Sequence, residues 1–430
     1  MSPRAQTRAD RPLGPTFRAL LAASAVSNLG DGIRLATLPL LATTLTNSPL
    51  LIAGVTVAQF LPWLLFGPIG GVIVDRSDRR RLILTTQLWR AIVMVVLAAV
   101  VIADAASIQL IFLVAFVITA GEILVDPSVV AVVPTIVARD DLDRANGRIS
   151  GVEIVTNDLV GAPVGVGLFA VASWLPFAVD GASYLGSTLL FRRLPGRSQP
   201  RPRTGEAGAD EPATTGTGTG GLRNGGFGRA LRQVGADLPA GLRWLFRHPM
   251  LRPWTISVAV FNIGAATSFS LLVLLVIDVH NGSEAAFGIT LTVAAVAGAI
   301  GSTVAPRLVE RHGRAPVLLV AAGLSAVVLL GLAAAPSLST VIALWAVGAG
   351  VSGVLLAIGR GFIQRYCPNE ILGRTAIASR TITRTAFVVG AFLGGVVGSA
   401  AGVRTAYAVA GAIQVMALLP MALALRNDHA

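Results

Sequence analysis

Gly71-Val-Ile-Val-Asp75-Arg76-Ser77-Asp78-Arg79 ends in an acid, an arginine, two spacers and a second arginine, and Leu308-Val-Glu310-Arg311-His312-Gly313-Arg314 repeats that order 235 residues later. A second pair agrees: Leu142-Asp-Arg144-Ala-Asn146 and Leu372-Gly-Arg374-Thr-Ala376 lie 230 residues apart. Two matches in equivalent places point to a duplicated chain. Both members of each pair also follow an apolar run long enough to cross a bilayer.

A membrane-crossing helix needs about 20 mostly apolar residues. By that measure, spans are predicted near 17–43, 50–74, 82–103, 109–133, 149–172 and 174–191. After a polar stretch come 254–277, 285–305, 315–335, 337–359, 376–400 and 404–425. The expected fold is therefore all-α and integral to the membrane, with twelve transmembrane helices in two six-helix pseudo-symmetric halves. The expected organisation is an N-terminal tail 1–16, a first half 17–194, a linker 195–250, a second half 251–426 and a C-terminal tail 427–430. Within the linker, 195–228 is rich in Gly, Pro, Thr and Arg and reads as disordered. Residues 241–248 form a short amphipathic stretch, read either as a surface helix with Trp244 and Trp254 at headgroup level or as a solvated lead-in.

Composition narrows the chemistry. The 430 residues are 54% hydrophobic and 13% charged, and the charged share is about half the soluble average. All 34 basic residues are arginine, so neither a P-loop lysine nor a Schiff-base lysine exists. One cysteine and four scattered histidines offer no disulfide or metal-ligand spacing, and neither a metal nor a cofactor is expected. The net charge of +12 resides in loops and linker. In the short loops nearly every arginine falls on one side, the opposite side holding Arg404, so both termini are expected in the cytoplasm. That distribution argues against nucleic-acid binding, which gathers basic residues on one soluble face. The expected partners are the lipid bilayer and a small molecule, with the chain a monomer in the cell membrane.

The sequence resembles the major facilitator superfamily. Gly71 to Arg80 is similar to its loop 2–3 signature. Asn28-Leu-Gly-Asp31-Gly, Pro127-Ser-Val-Val-Ala-Val-Val-Pro134, Leu142-Asp-Arg144-Ala-Asn146-Gly and Asp180-Gly-Ala-Ser-Tyr-Leu resemble its macrolide-efflux and enterobactin-exporter branch of drug:proton antiporters. Gly161-Ala-Pro163-Val-Gly165-Val-Gly167 is similar to the fifth-helix motif associated with export. The fourth-helix arginine motif of many such antiporters is missing, and Glu122 and Asp126 stand in that span instead. The resemblance implies a cavity lined by spans one, four, seven and ten, receiving Asn28, Asn262, Phe261, Phe269 and Trp345.

Charges inside a span cost about 2.5–3.5 kcal/mol each on insertion scales, so each asks for a reason. Asp31 and Arg34 share one face of span one, as a protonation site or as a permanent pair. Glu122 and Asp126 share a face of span four, either as proton-exchanging acids or as charges neutralised by Arg90 of span three or an arginine of span ten. Asp158 in span five either plays the same part or caps a kink near Pro163. Asp180 has no assigned role. For a cytoplasmic gate the candidates are Asp75, Arg76 and Arg79, the repeat residues Glu310, Arg311 and Arg314, and Arg380 or Arg384 as the partner clamping Asp75. Gly390, Gly394, Gly398 and Gly402 form a smooth stripe matched by Gly161 and Gly165; such a seam permits rocking of one half against the other, but static packing is the expected role of any single glycine.

The function expected is export of a hydrophobic or amphipathic small molecule by alternating access, with a proton gradient as the energy source. The alternatives are an uncoupled or import carrier, a non-transporting receptor and an integral-membrane lipid-modifying enzyme, the last disfavoured by the scattered histidines.

Overall fold

The computed structural model describes residues 13–194 and 238–426, nearly all of them helical. The expected disordered stretch 195–228 and the two chain ends lie outside the described residues. The first half consists of α1 (Pro15–Leu45), α2 (Pro49–Arg76), α3 (Arg79–Ile102), α4 (Ile108–Ile136), α5 (Leu142–Glu153), α6 (Ala162–Val171) and α7 (Leu175–Phe191). A π-helical segment, Ile154–Gly161, joins α5 to α6 in one span. After a short helix at 238–247 (α8) come α9 (Leu251–Ser270), the single turn α10 (Leu272–Leu274) with a π-helical continuation Leu275–Val279, and α11 (Glu284–His312). Then follow α12 (Arg314–Ala333), α13 (Leu338–Tyr366), α14 (Asn369–Ala401) and α15 (Val403–Arg426).

Local chemistry sets the ends. Proline opens α1, α2 and α7, where a missing N–H costs nothing. Asp78 accepts from the Arg81 N–H at 3.1 Å to cap α3, and Ser283 accepts from the Ala286 N–H at 3.2 Å to cap α11. The two repeated loops solve one turn differently. Where the first half caps with Asp78, the second turns on Gly313 at φ 80°, a left-handed conformation that suits glycine.

Nine described helices are long and apolar enough to cross a membrane, or ten if the bent pair Leu251–Ser270 and Leu272–Val279 (43°) is one span. The expected twelve is thus not reached on length and composition. The outliers are α1, which carries Asp31 and Arg34, and α7, which has 17 residues. Both are nevertheless integral to the bundle, packed against each other.

The pseudo-symmetry is visible in the packing. In the first half α1 and α3 pack on α7, and α2 on α4; in the second half α9 and α12 pack on α15, and α11 on α13. The halves meet through α2 against α14 and α6 against α11, again an equivalent pair. Their shared core lies at the end away from the repeated loops. There, residues such as Leu38, Leu41 and Ile52 join Leu271, Leu275 and Phe287 in one cluster, and the Leu50 N–H donates to Ser399 Oγ at 3.0 Å. At the opposite end the buried clusters belong to one half or the other. Among the described residues, the two halves therefore share a core at the end away from the repeated loops, and at the other end each buried cluster stays within one half.

Gly161 and Gly165 serve static packing rather than a seam between halves: they let α1 approach within their own half. A methyl on Gly165 would sit 2.8 Å from the Ile33 Cα and carbonyl oxygen, and one on Gly161 2.9 Å from the Gly32 Cα. Gly390 and Gly394, both 229 residues further on, do the same against Ile263 and Thr267 of α9. In the described structure the interface between halves is served by Gly395 and Gly398, which face Leu50 and Pro49 of α2. The linker end is amphipathic as read: Leu245 of α8 is fully buried and Gly241 abuts Arg374 and Ala378 of α14, while Arg243, Phe246 and Arg247 are exposed. Trp254 is buried in the second half.

Candidate functional site

Four helices of the first half bring their polar side chains to one buried point. Asp31 of α1 accepts on one oxygen from Arg34 Nη2 (3.2 Å), Arg90 Nη2 of α3 (2.5 Å) and the Tyr184 hydroxyl of α7 (2.7 Å). Arg90 also donates to Tyr184 OH at 2.8 Å and to Gln87 Oε1 at 2.9 Å, and its guanidinium lies 4.1 Å above the Tyr184 ring centre. Gln87 Nε2 donates in turn to Ser27 Oγ and Ser187 Oγ, at 2.8 and 2.9 Å. Arg34 reaches across to Glu122 Oε2 of α4 at 3.2 Å. Arg90 is fully buried, whereas the Glu122 side chain is 24% exposed. Asp31 and Arg34 are thus paired as their spacing suggests, inside a larger network. Of the expected α4 acids, Glu122 is tied to Arg34, and Asp126, one turn further, is exposed.

Reasoning on the sequence did not assign Tyr184, Gln87, Ser27 or Ser187 a part in this network, and gave Arg90 a different partner. A signal was present: Asp180, Ser183, Tyr184 and Ser187 recur at the i, i+3, i+4, i+7 spacing that marks one helix face, as Gln87 and Arg90 do at i, i+3.

A cavity of about 350 Å³ lies between the halves. Its aromatic walls are Phe261, Phe269, Phe287, Trp345 and Phe387; Asn157, Ser325 and Gln414 add polar points. Ser325 Oγ donates to Gln414 Oε1 at 2.8 Å, while the buried Asn157 Oδ1 has no hydrogen-bond partner. The described lining holds no ionisable side chain, and none of it comes from α4. Asn28 and Asn262 are not in the lining either; the Asn262 amide donates to its own helix, to the Val258 carbonyl at 2.7 Å. The acids and the cavity are therefore adjacent systems, joined through α1, whose Leu35, Ala36 and Pro39 line the cavity while Asp31 and Arg34 turn into the network.

The described gate candidates lie in several different places. The side chains of Asp75, Arg76 and Asp158 lie outside the described residues. Arg79 Nη1 donates to the Ala131 carbonyl at 2.9 Å, anchoring α3 to α4. Glu310 and Arg311 end α11 exposed, Arg314 is half-buried and Arg380 is exposed. Arg384 of α14 lies over the rings of Trp63 (5.2 Å) and Phe60 (5.6 Å) of α2, in the electrostatic field of Glu122 and Asp126. Trp63 is twelve residues from Asp75, about 18 Å along a helix, so in this conformation Arg384 serves another part of the interface.

Comparison with known proteins agrees with this architecture. Residues 11–204 match the family described as Transmembrane secretion effector, and residues 255–430 match Major Facilitator Superfamily. Macrolide efflux protein A of Streptococcus pyogenes is 26% identical over 173 residues, 40% of this chain and 42% of that protein. The putative bacilysin exporter BacE of Bacillus subtilis is 30% identical over 187 residues, 43% of this chain and 45% of that protein. The chain thus spans less than half the length of these relatives in the matched stretches. The crystal structure of the nucleoside transporter NupG superposes with a TM-score of 0.71 at 13% identity, covering 96% of this chain and 100% of that one, a likeness of fold. With two equivalent helical halves, a cavity between them and family matches across both, the chain belongs to the major facilitator superfamily.

Proposed function

We propose that this protein is a secondary carrier that exports a hydrophobic or amphipathic small molecule across the cell membrane by alternating access, in exchange for protons. The observation that carries this reading is the cavity between the halves, walled by aromatics and free of charge along its described lining. Such walls suit an uncharged apolar or aromatic portion of a substrate; a sugar would ask for many more hydrogen-bonding groups. The exporters among its relatives favour the outward direction, and the arginine distribution favours cytoplasmic termini. On that orientation the end with the shared core faces outward, and the carrier stands ready to load from the cytoplasm.

Glu122 is the acid we assign to proton exchange with the crevice: it is the partly exposed member of the network and holds a single bond to Arg34. Asp31, with three donors, is the member that organises α1, α3 and α7. Binding, rocking of one half on the other and return driven by the gradient replace covalent chemistry, and no cofactor is required. The test is efflux from proteoliposomes carrying a pH gradient, against a panel of macrolides, siderophores and dyes. Efflux that follows the gradient in the native protein and loses that dependence in Glu122→Gln supports the reading. Efflux indifferent to the gradient in the native protein refutes it.

A further inference from the structure

Among the described residues, Asp180 is the one buried acid of the first half for which the mechanism above has no use. It sits in α7, fully buried, one turn before Tyr184. The titratable groups facing it are Asp31 and Arg34 on α1, Arg90 on α3, and Tyr184 on its own helix; α6, also packed on α7, carries none. Both guanidiniums are already engaged: Arg90 by Asp31, Tyr184 and Gln87, and Arg34 by Asp31 and Glu122. The two buried cations Arg34 and Arg90 therefore stand among Asp31, Glu122 and Asp180, and the one of these three carboxyls without an ion pair is Asp180. A lone ionised carboxylate buried in a membrane helix bundle is the least favourable way to balance that set.

The hydrogen bonds point the same way. Asp180 Oδ2 is buried without a partner, and Oδ1 lies 3.4 Å from Ser183 Oγ. Ser183 has a single hydroxyl hydrogen, and its better acceptor is the Asp180 main-chain carbonyl at 2.8 Å. With that hydrogen spent, the Ser183 oxygen is free to accept, which suits a carboxylic acid donating its own O–H. Gly30 of α1, beside Asp31, packs directly on this pair, so a charge appearing on Asp180 acts at once on the helix that carries Arg34.

From this we infer that Asp180 holds a proton in this conformation and is a second protonation site of the carrier, distinct from Glu122. The inference deepens the proton-exchange reading and rests on it for its role in transport. The step is a plain proton transfer: the Asp180 O–H bond breaks, its electron pair stays on the carboxylate, and the proton leaves to water. The new carboxylate then competes with Asp31 and Glu122 for Arg34 and Arg90, which is how proton loss would bias the packing of α1.

The test uses the full-length protein in lipid nanodiscs at neutral pH, by infrared spectroscopy of the carbonyl stretch of protonated carboxylic acids. Asp180→Asn should remove one component of that band, and Ser183→Ala, which folds without changing charge, should shift the same component to higher frequency as the acid loses its acceptor. An unchanged band in Asp180→Asn overturns the inference, as does an unshifted component in Ser183→Ala. A failure of proton-coupled export reads out separately, as native efflux indifferent to the gradient, because the infrared measurement involves no transport.

Discussion

Replacing Arg90 with methionine removes a fully buried charge while keeping most of the apolar stem. Arg90 donates to Asp31, Tyr184 and Gln87 and stacks on the Tyr184 ring. Breaking a buried ion pair by deleting one partner costs about 3–5 kcal/mol, because the survivor stays charged and desolvated. Here Asp31 keeps Arg34 and Tyr184, which places the ionic part near the lower bound. The abandoned Gln87 oxygen adds about 1–3 kcal/mol for a buried group left unsatisfied. A loss of roughly 4–6 kcal/mol is therefore expected for Arg90→Met. Its cause can be isolated with a second change. Asp31→Asn in the Arg90→Met background removes the uncompensated charge, so the double variant should be more stable than the sum of the singles by about 2 kcal/mol, a coupling typical of partners in one network. Equilibrium unfolding in mixed micelles, followed by tryptophan fluorescence, measures all four corners of the cycle. A loss under about 1 kcal/mol for Arg90→Met, or strict additivity in the double variant, would show that the pair contributes little and that Asp31 does not depend on Arg90.

Three further outcomes follow from the same structure. Gly165→Ala should destabilise by about 1–3 kcal/mol, since its methyl meets Ile33 backbone at 2.8 Å, while Gly167→Ala, with open space around it, should not; equal melting temperatures for the two would contradict the α1 packing. His248 Nδ1 accepts from the Met250 and Leu251 N–H groups at 3.3 Å, and burial holds the imidazole below its ordinary range. Because the folded state favours the neutral ring, this contribution, about 1 kcal/mol for a cap, is present above the free histidine pKa and fades as pH falls through the lowered one. His248→Ala should flatten that acid-side loss in a pH series of melting curves, and an unchanged slope would dismiss the cap. Arg384→Ala removes two ring contacts between the halves, worth about 1–2 kcal/mol together, so the conformation described here should lose roughly tenfold in population. Spin-label distances across the end bearing the repeated loops report it, and an unaltered distribution speaks against this latch.

The span pattern was legible because each helix is written locally: a run of apolar residues, a proline or a capping side chain at its start, a glycine where the chain must turn. The duplication was legible for the same reason, since Asp75–Arg79 and Glu310–Arg314 are short stretches that need no partner to be recognised. So was the pairing of Asp31 with Arg34, three residues apart on one face.

What the sequence could not decide was which charge answers which. Asp31 and Tyr184 are 153 positions apart and Arg34 and Glu122 are 88 apart, and many arrangements of six helices would satisfy the same hydropathy. Only packing brought Arg90 to Asp31 rather than to Glu122, left Asp180 without a cation, and moved the cavity away from the acids of α4. The glycine stripe shows the same division of labour. Its spacing announces a close approach, but whether Gly165 meets α1 or the other half depends on how the helices turn about their axes. That is set by the sum of contacts across the bundle, where the buried ion network and the backbone of Ile33 outweigh any pattern read along one helix.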